Sequence, residues 1–432
     1  MDIAKLYEIY KKHPVVTTDS RRCPKGAIFF ALKGENFDGN QYAAKALDEG
    51  CSVAVVDNQA VAVDERYELV PDVLSALQQL AHYHREQLKD KMVIQITGTN
   101  GKTTTKELVS AVLLTIAPVQ WTQGNLNNHI GVPLTLLTLH DDGGFGVVET
   151  GANHLGEIAQ LCEIVNPDMG LITNVGRAHL AGFGSFEGVK RTKGELYEYI
   201  RTHHRIGIFL NASSEDLVQM AGDLPAVRYG LTGTPDVEVW GEVMECNPFV
   251  KFRYRQEHVG WQVVQTHLIG SYNIHNLMAA VAVGIQFGAS FSQISQALAD
   301  YKPTNNRSEF RDTGKNSLVI DAYNANPTSM AAALENFGNI RADHKMVILG
   351  DMFELGEESV EEHQKVIEKL QGMNVEQVWL IGENFAHAKH TFRSFANVEE
   401  VKEELNAHPL VGYTILIKGS NGTKLFQLPE KL

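Results

Sequence analysis

The chain has 432 residues, 44% hydrophobic and 21% charged, which points to a folded protein too long for one hydrophobic core and predicts two to three domains. Its net charge of -14 disfavours broad electrostatic attraction to nucleic acid or an anionic membrane, so anionic small ligands must be held by local donors. The longest apolar run, residues 277–289, contains Gln286 and falls short of the roughly 20 residues a spanning helix needs, and Met1-Asp2-Ile3-Ala4-Lys5 lacks a basic region followed by an apolar stretch. A cytoplasmic protein with no membrane insertion is expected. Cys23, Cys51, Cys162 and Cys246 form no C-x-x-C pair and are expected as buried free thiols.

In chain order, residues 1–88 carry short apolar strands at 27–31 and 52–56, a helical stretch at 41–49 and a closing helix at 72–88. They read as a small α/β domain, with Asp90-Lys91 as the exposed junction. Residues 89–303 alternate apolar strands at 92–97, 146–149, 170–173 and 206–210 with helices. That pattern predicts a mostly parallel sheet of the P-loop ATPase kind, with ligands at the carboxyl ends of its strands. Segments 249–254 and 261–267 suggest an added antiparallel ribbon. After Lys302-Pro303-Thr304-Asn305-Asn306, residues 304–432 supply strands at 317–321, 345–349, 377–381 and 413–418, a third, Rossmann-like α/β domain. The acidic run 357–362 is expected on a solvated helix face near a helix N-terminus.

The most specific chemistry lies at Gly98-Thr99-Asn100-Gly101-Lys102-Thr103-Thr104, between an apolar strand and a helix. Backbone N–H groups of such a turn face anionic oxygens, Lys102 can reach terminal phosphates, and Thr103 can hold magnesium. Only two residues separate Gly98 from the Gly101-Lys102 pair, so the loop is a short variant of the usual spacing. Glu149 ends an apolar strand beside it and can share the magnesium with Thr103. His179, in Asn174-Val175-Gly176-Arg177-Ala178-His179, is a candidate second metal ligand or a structural histidine. Spacing alone makes Lys193 a surface cation and Arg307 a linker cation. Asn273 and Asn276 open a helix, where they can read a purine edge or cap the helix. The tract 321–327, Asp-Ala-Tyr-Asn-Ala-Asn-Pro, serves nucleotide recognition or turn formation.

The order of these motifs, together with Val148-Glu149-Thr150-Gly151-Ala152-Asn153-His154, resembles the ATP-dependent Mur ligases of peptidoglycan synthesis over almost the whole chain. Thr18-Asp19-Ser20-Arg21 and the tract 30–39 resemble that family's UDP-sugar domain. Asn127-Asn128-His129-Ile130-Gly131, the tract 151–158 and the tract 321–327 resemble the branch that joins D-alanyl-D-alanine to UDP-N-acetylmuramoyl-tripeptide through an acyl phosphate. The resemblance implies ATP and magnesium as cofactors, those two molecules as substrates, no nucleic acid and a monomer. It implies that Gly98, Thr99, Asn100, Gly101, Lys102, Thr103 and Thr104 bind phosphate, that Thr103, Glu149 and His179 bind metal, and that Lys193 is carbamylated. Lys102, Lys193, His179 and Arg307 would be catalytic. Asn273, Asn276 and Asp321 would contact adenosine, and Arg307 the phosphates after domain closure. Ser20, Arg21, Lys33, Asn127, Asn128, Asn324, Asn326 and Lys418 would lie on the substrate side. One departure is Lys418-Gly419-Ser420-Asn421 where the family's pattern ends in arginine, which removes an ionic contact that Lys418 can replace. The alternatives are a sibling ligase adding another amino acid, a folylpolyglutamate synthase, or a nucleotide-gated binding protein without ligase activity.

Overall fold

The computed structural model describes residues 2–177, 180–304 and 306–432. Its strands form three main α/β sheets in succession along the chain, with a small two-stranded sheet, Lys33–Gly34 and Phe37–Asp38, beside the first. The first is a parallel sheet in the order Val16–Thr17, Ile28–Phe30, Val53–Val56, Tyr67–Leu69. The helix Val73–Gln87 follows, its N-terminus capped by Asp72, and carries the chain to the next sheet.

The central sheet has nine strands. Met92–Thr97, Phe145–Glu149, Met169–Ile172 and Gly207–Asn211 are buried almost throughout, the mark of parallel strands covered on both faces. Met92–Thr97 pairs in parallel with Phe145–Glu149 on one side and Met169–Ile172 on the other, so their carboxyl ends open at one edge. The expected ribbon is present as Phe249–Gln256 and Gln262–Ile269, and a strand absent from the sequence reading, Val239–Cys246, joins it, antiparallel to Phe249–Gln256 and parallel to Ala226–Leu231. Val119–Trp121 and Ala226–Leu231 also extend the sheet. The first is only three residues long and the second is half-buried, so neither presents a strong apolar run. The third sheet runs Glu309–Asp312, Ser317–Asp321, Thr414–Lys418, Lys345–Gly350, Gln377–Ile381, Arg393–Phe395, parallel except at its first pair.

The apolar run near residue 280 is a core helix, Ile274–Gln286, packed against the helix Lys102–Leu113. No helix among the described residues is long and apolar enough to cross a membrane. The four cysteines are free, with Cys23 and Cys246 only half-buried where full burial was expected. The acidic run needs correction too. Glu361 and Glu362 fall in the first turn of the helix Ser359–Gln371, but Glu362 is buried and paired with Lys365 at 2.8 Å.

Helices of the first domain are bonded to loops of the second. Tyr10 Oη donates to the Leu137 carbonyl at 2.6 Å and His84 Nε2 to the Leu139 carbonyl at 3.0 Å. Buried Arg85 reaches Asp168 at 2.8 Å, and the same Asp168 oxygen accepts from Val93 N at 2.8 Å. The first domain is thereby tied to the strand that leads into the glycine-rich turn.

The two packed helices meet at Gly284, where an added Cβ would stand 2.5 Å from Val112 Cγ1 and 2.9 Å from Ile294 Cγ1. Alanine favours helix intrinsically, by about 1 kcal/mol over glycine, but here it overpacks a contact between β-branched side chains. Gly284→Ala is expected to lower stability by about 1–3 kcal/mol, read as a reduced urea midpoint; an unchanged or raised midpoint would contradict this packing.

Candidate functional site

The turn at 98–101 is shaped by two glycines that leave no space for a side chain. Gly98 has φ 140° and Gly101 φ 78°, the region that favours glycine. A Cβ on Gly98 would lie 2.0 Å from Thr173 Oγ1, and one on Gly101 2.6 Å from Asn276 Oδ1. The exit of the neighbouring strand pins the same turn by hydrogen bonds. Thr99 N donates to the Asn174 carbonyl at 3.0 Å, Asn100 N to Asn174 Oδ1 at 3.0 Å, and Thr173 Oγ1 to the Asn100 carbonyl at 2.7 Å. The helix then begins at Lys102, so its N-terminal N–H groups and dipole face the turn.

Lys102 curls over this turn, its Nζ donating to the Gly98 carbonyl at 2.8 Å and the Thr99 carbonyl at 3.1 Å. Burial lowers its pKa to about 8, with the charge of Arg307 adding to the effect and Glu149 opposing it. Arg307 comes from the third domain, so the two cations belong to one site. Glu149 is itself buried, and both its oxygens are held. Thr103 Oγ1 donates to Oε2 at 2.9 Å and Asn127 Nδ2 to Oε1 at 2.8 Å. Asn127, expected on the substrate side, thus orients the carboxylate, while Asn128 Oδ1 accepts from Ile130 N and Gly131 N just ahead of the short helix Gly131–Leu136.

Sequence reasoning missed Lys106. Fully buried, it donates to the Thr122 carbonyl at 2.6 Å and lies 4.0 Å from Glu149 Oε2, the oxygen that Thr103 also approaches. The i, i+3 spacing from Thr103 puts both on one helix face, and that was the available signal. Lys193 is not the surface cation that its spacing suggested. It is 2% exposed, its Nζ lies 5.4 Å from the Phe183 ring centroid, and burial, reinforced by the charge of Lys102, lowers its pKa to about 7. His179 lies outside the described residues.

Asn273 and Asn276 form a buried relay. Thr105 Oγ1 donates to Asn276 Oδ1 at 3.0 Å, Asn276 Nδ2 to Asn273 Oδ1 at 2.8 Å, and Asn273 Nδ2 to the Ile269 carbonyl at 2.7 Å and Ser308 Oγ at 3.3 Å. Asn273 makes no side-chain cap bond to the helix it precedes, so the capping alternative is not realised. The cavity beside them is also lined by His275, which accepts from Asn211 Nδ2 at 3.2 Å. No spacing in the sequence marked this pair.

In the third domain, Asp321 is ion-paired to buried Lys418, which also donates to the Asn324 carbonyl at 3.2 Å. Asn326 caps the helix Pro327–Asn339 and donates through Nδ2 to Asn100 Oδ1 at 2.8 Å, linking the third domain to the glycine-rich turn. Ser20, Arg21 and Lys33 do not line the cavity described next. Arg21 pairs with Asp19 at 2.9 Å and Lys33 with Asp57 at 2.8 Å.

Lys102, Asn127, Glu149, Asn273, Asn276 and Arg307 line one cavity of about 1390 Å³, a lining that does not include Thr103, Lys106, Lys193 or Asn326; it is larger than the roughly 300–1,000 Å³ of an ordinary small-molecule site. Gln78, His82 and Glu86 line it from the first domain, Lys102, Glu149 and His154 from the second, and Arg307, Tyr323 and Lys418 from the third. Its cations gather at the turn, while the opposite end, between the helices Val73–Gln87 and Glu157–Val165, is polar and acidic. Such an arrangement can hold a polyphosphate at one end and an extended second molecule along the remainder.

Family models match all three domains: the Mur ligase family catalytic domain at residues 14–86, the Mur ligase middle domain at 96–284 and the Mur ligase glutamate ligase domain at 306–421. The UDP-N-acetylmuramoyl-tripeptide--D-alanyl-D-alanine ligase of Bacillus subtilis is 34% identical over 430 residues, covering 96% of this chain and 92% of that protein. The crystal structure of MurF from Acinetobacter baumannii superposes with TM-score 0.84 at 31% identity, covering 96% of this chain and 92% of that one. The fold is also that of the Thermotoga maritima MurF ligase, solved in complex with ADP, with TM-score 0.84, 24% identity and coverage of 100% and 98%. With its glycine-rich turn, buried Glu149 and three-domain cavity, the chain belongs to the Mur ligase family.

Proposed function

We propose that this protein is an ATP-dependent, ADP-forming ligase that joins D-alanyl-D-alanine to UDP-N-acetylmuramoyl-tripeptide in cytoplasmic peptidoglycan precursor synthesis. The observation that carries the reading is the single cavity lined from three domains, with Lys102, Glu149 and Arg307 at one end. Residues 1–88 take the UDP-sugar part, with Ser20, Arg21 and Lys33 on its substrate face. Residues 89–303 take ATP, and residues 304–432 bring the dipeptide, next to Asn324, Asn326 and Lys418. The protein works as a monomer without nucleic acid.

A tripeptide carboxylate oxygen attacks the γ-phosphorus of ATP, the bond to the bridging oxygen breaks, and ADP leaves. The amine of D-alanyl-D-alanine then attacks the acyl phosphate carbonyl; the tetrahedral intermediate expels inorganic phosphate, and the amine proton is lost. Lys102 and Arg307 offset charge on the transferring group, positioning and electrostatics being most of what phosphoryl transfer requires. Closure of the third domain over the cavity would keep water from the acyl phosphate.

Magnesium fits the residues present. The Thr103 hydroxyl and the Glu149 carboxylate meet at 2.9 Å in a buried position, a pair of hard oxygen donors of the kind this ion takes. Thr103 and Glu149 would hold it, with His179 at a second position, and it would supply charge neutralisation on the phosphate oxygens. Asn127 keeps the carboxylate turned toward Thr103. Asp321, Asn273 and Asn276 shape the adenosine end.

Lys193 is suited to carbamylation because its amine is half neutral near pH 7. The neutral nitrogen forms the N–C bond to CO₂ and releases a proton, turning a buried cation near Lys102 into an anion.

Purified protein with magnesium, ATP and both substrates is expected to yield the pentapeptide product by mass spectrometry, with phosphate release requiring both; hydrolysis independent of dipeptide would contradict the reading. Lys102→Ala is expected to lose about 3–4 kcal/mol of transition-state stabilisation, seen as a several-hundred-fold drop in kcat with folding retained. Because the Lys193 pKa is lowered to about 7, the neutral form prevails above that pH and is lost below it. The ¹³C-carbamate NMR signal in ¹³C-bicarbonate is therefore expected to fall as pH drops through 7 and to be absent in Lys193→Met. A signal persisting in that variant, or none in the parent protein, would refute the modification.

A further inference from the structure

Arg307 is held in an unusual way for a cation in a cavity that also contains carboxylates. Its guanidinium carbon lies 3.7 Å from the centroid of the Tyr323 ring, while among the described residues no hydrogen bond or ion pair involves its side chain. The two carboxylates nearest in the local sequence and strand pairing are already taken. Asp321 is bound by Lys418, and Glu309 by Arg311 at 2.8 Å. The backbone brings arginine and ring together, because Ala322 N donates to the Asn306 carbonyl at 3.0 Å, setting residue 307 beside residue 323. The residues flanking Arg307 pay in backbone strain, Asn306 with φ 56° and Ser308 with φ 50°, a conformation that non-glycine residues adopt only where surrounding structure enforces it. Ser308 in turn receives a hydrogen bond from Asn273, the end of the relay that reaches the phosphate-turn helix.

A carboxylate partner would fix Arg307 but use its N–H donors and cancel its charge. An aromatic face fixes the plane of the guanidinium through cation–π attraction and leaves its edge donors uncommitted. We propose that Tyr323 is a positioning residue, whose ring holds Arg307 edge-on to the cavity so that the third domain presents an unneutralised, pre-aimed cation to the nucleotide phosphates. Both residues belong to the same domain, so the stacked pair moves as a unit whenever that domain moves. The Tyr323 hydroxyl has no hydrogen-bond partner among the described residues, so the ring alone performs the task. This rests on the ligase reading above.

The test is a double-mutant cycle in the ligation assay, with thermal midpoints recorded for every variant. Tyr323→Phe is expected to keep kcat/KM for ATP within about twofold of the parent, and Tyr323→Ala to lose about thirtyfold, the scale of a desolvated cation–π contact. Arg307→Met is expected to lose more, and Tyr323→Ala added to Arg307→Met to cost no further activity, because the ring acts only through the guanidinium. Multiplying losses would place the ring against the nucleotide itself and overturn the proposal, as would an alanine variant within twofold of the parent or a phenylalanine variant as impaired as alanine. If the parent protein ligates nothing, the failure lies with the ligase reading; if it ligates and the cycle is additive, the failure lies with Tyr323 alone.

Discussion

The site depends on a steric clamp around the glycine-rich turn. Thr173 stands against Gly98 on one side and Asn276 against Gly101 on the other, each closer than any Cβ could tolerate. This fixes where the helix Lys102–Leu113 begins, and so fixes Lys102 and Thr103. The clamp also transmits position outward. Asn276 is bonded through Asn273 to Ser308, next to Arg307, and Asn100 is bonded to Asn326 at the start of a third-domain helix. The placement of the third domain is thereby read directly by the turn that would carry the phosphates.

Within that frame the chemistry comes from charges kept out of water. Half-buried Lys102 and buried Lys193 are both pushed toward the neutral amine chiefly by loss of solvation, with the charge of Arg307 adding to the effect at Lys102 and the charge of Lys102 adding to it at Lys193. Lys106 is also buried, but it is satisfied by the Thr122 carbonyl and by Glu107 at 2.8 Å. A polyanion entering the cavity would relieve the unfavourable proximity of Lys102 and Arg307, so part of its binding energy would come from repulsion already built into the protein. Glu149 accepts from a hydroxyl on one oxygen and an amide on the other, so its carboxylate is held in a fixed orientation.

Much of this was legible in the sequence where a single physical signal dominated. Continuous apolar runs marked the buried parallel strands, and the glycine spacing with its lysine and threonines marked the turn. Val239–Cys246 escaped because its burial is only partial, with glutamates at 242 and 245, and Val119–Trp121 because three residues carry no periodicity. The location of Lys193 was not readable from spacing, since burial of a helix residue is decided by what packs over it, here Phe183. The roles of Asn273 and Asn276 were ambiguous between base recognition and capping; the fold commits their amides to each other, to Thr105, to the Ile269 carbonyl and to Ser308, a network that depends on contacts far apart in sequence. Ser20, Arg21 and Lys33 were grouped with the substrate by resemblance, and their side chains lie outside the central cavity, in the first domain.

The central claim is that the triphosphate end and the peptide end of one cavity meet so that a carboxylate oxygen takes the γ-phosphoryl group. Oxygen tracing tests it most directly. With the tripeptide's terminal carboxylate labelled with ¹⁸O, each ligation is expected to deliver one ¹⁸O atom into inorganic phosphate and leave one in the new amide. Inorganic phosphate free of label, with both ¹⁸O atoms remaining on the peptide, would mean that the phosphoryl group passes to water and would contradict the account.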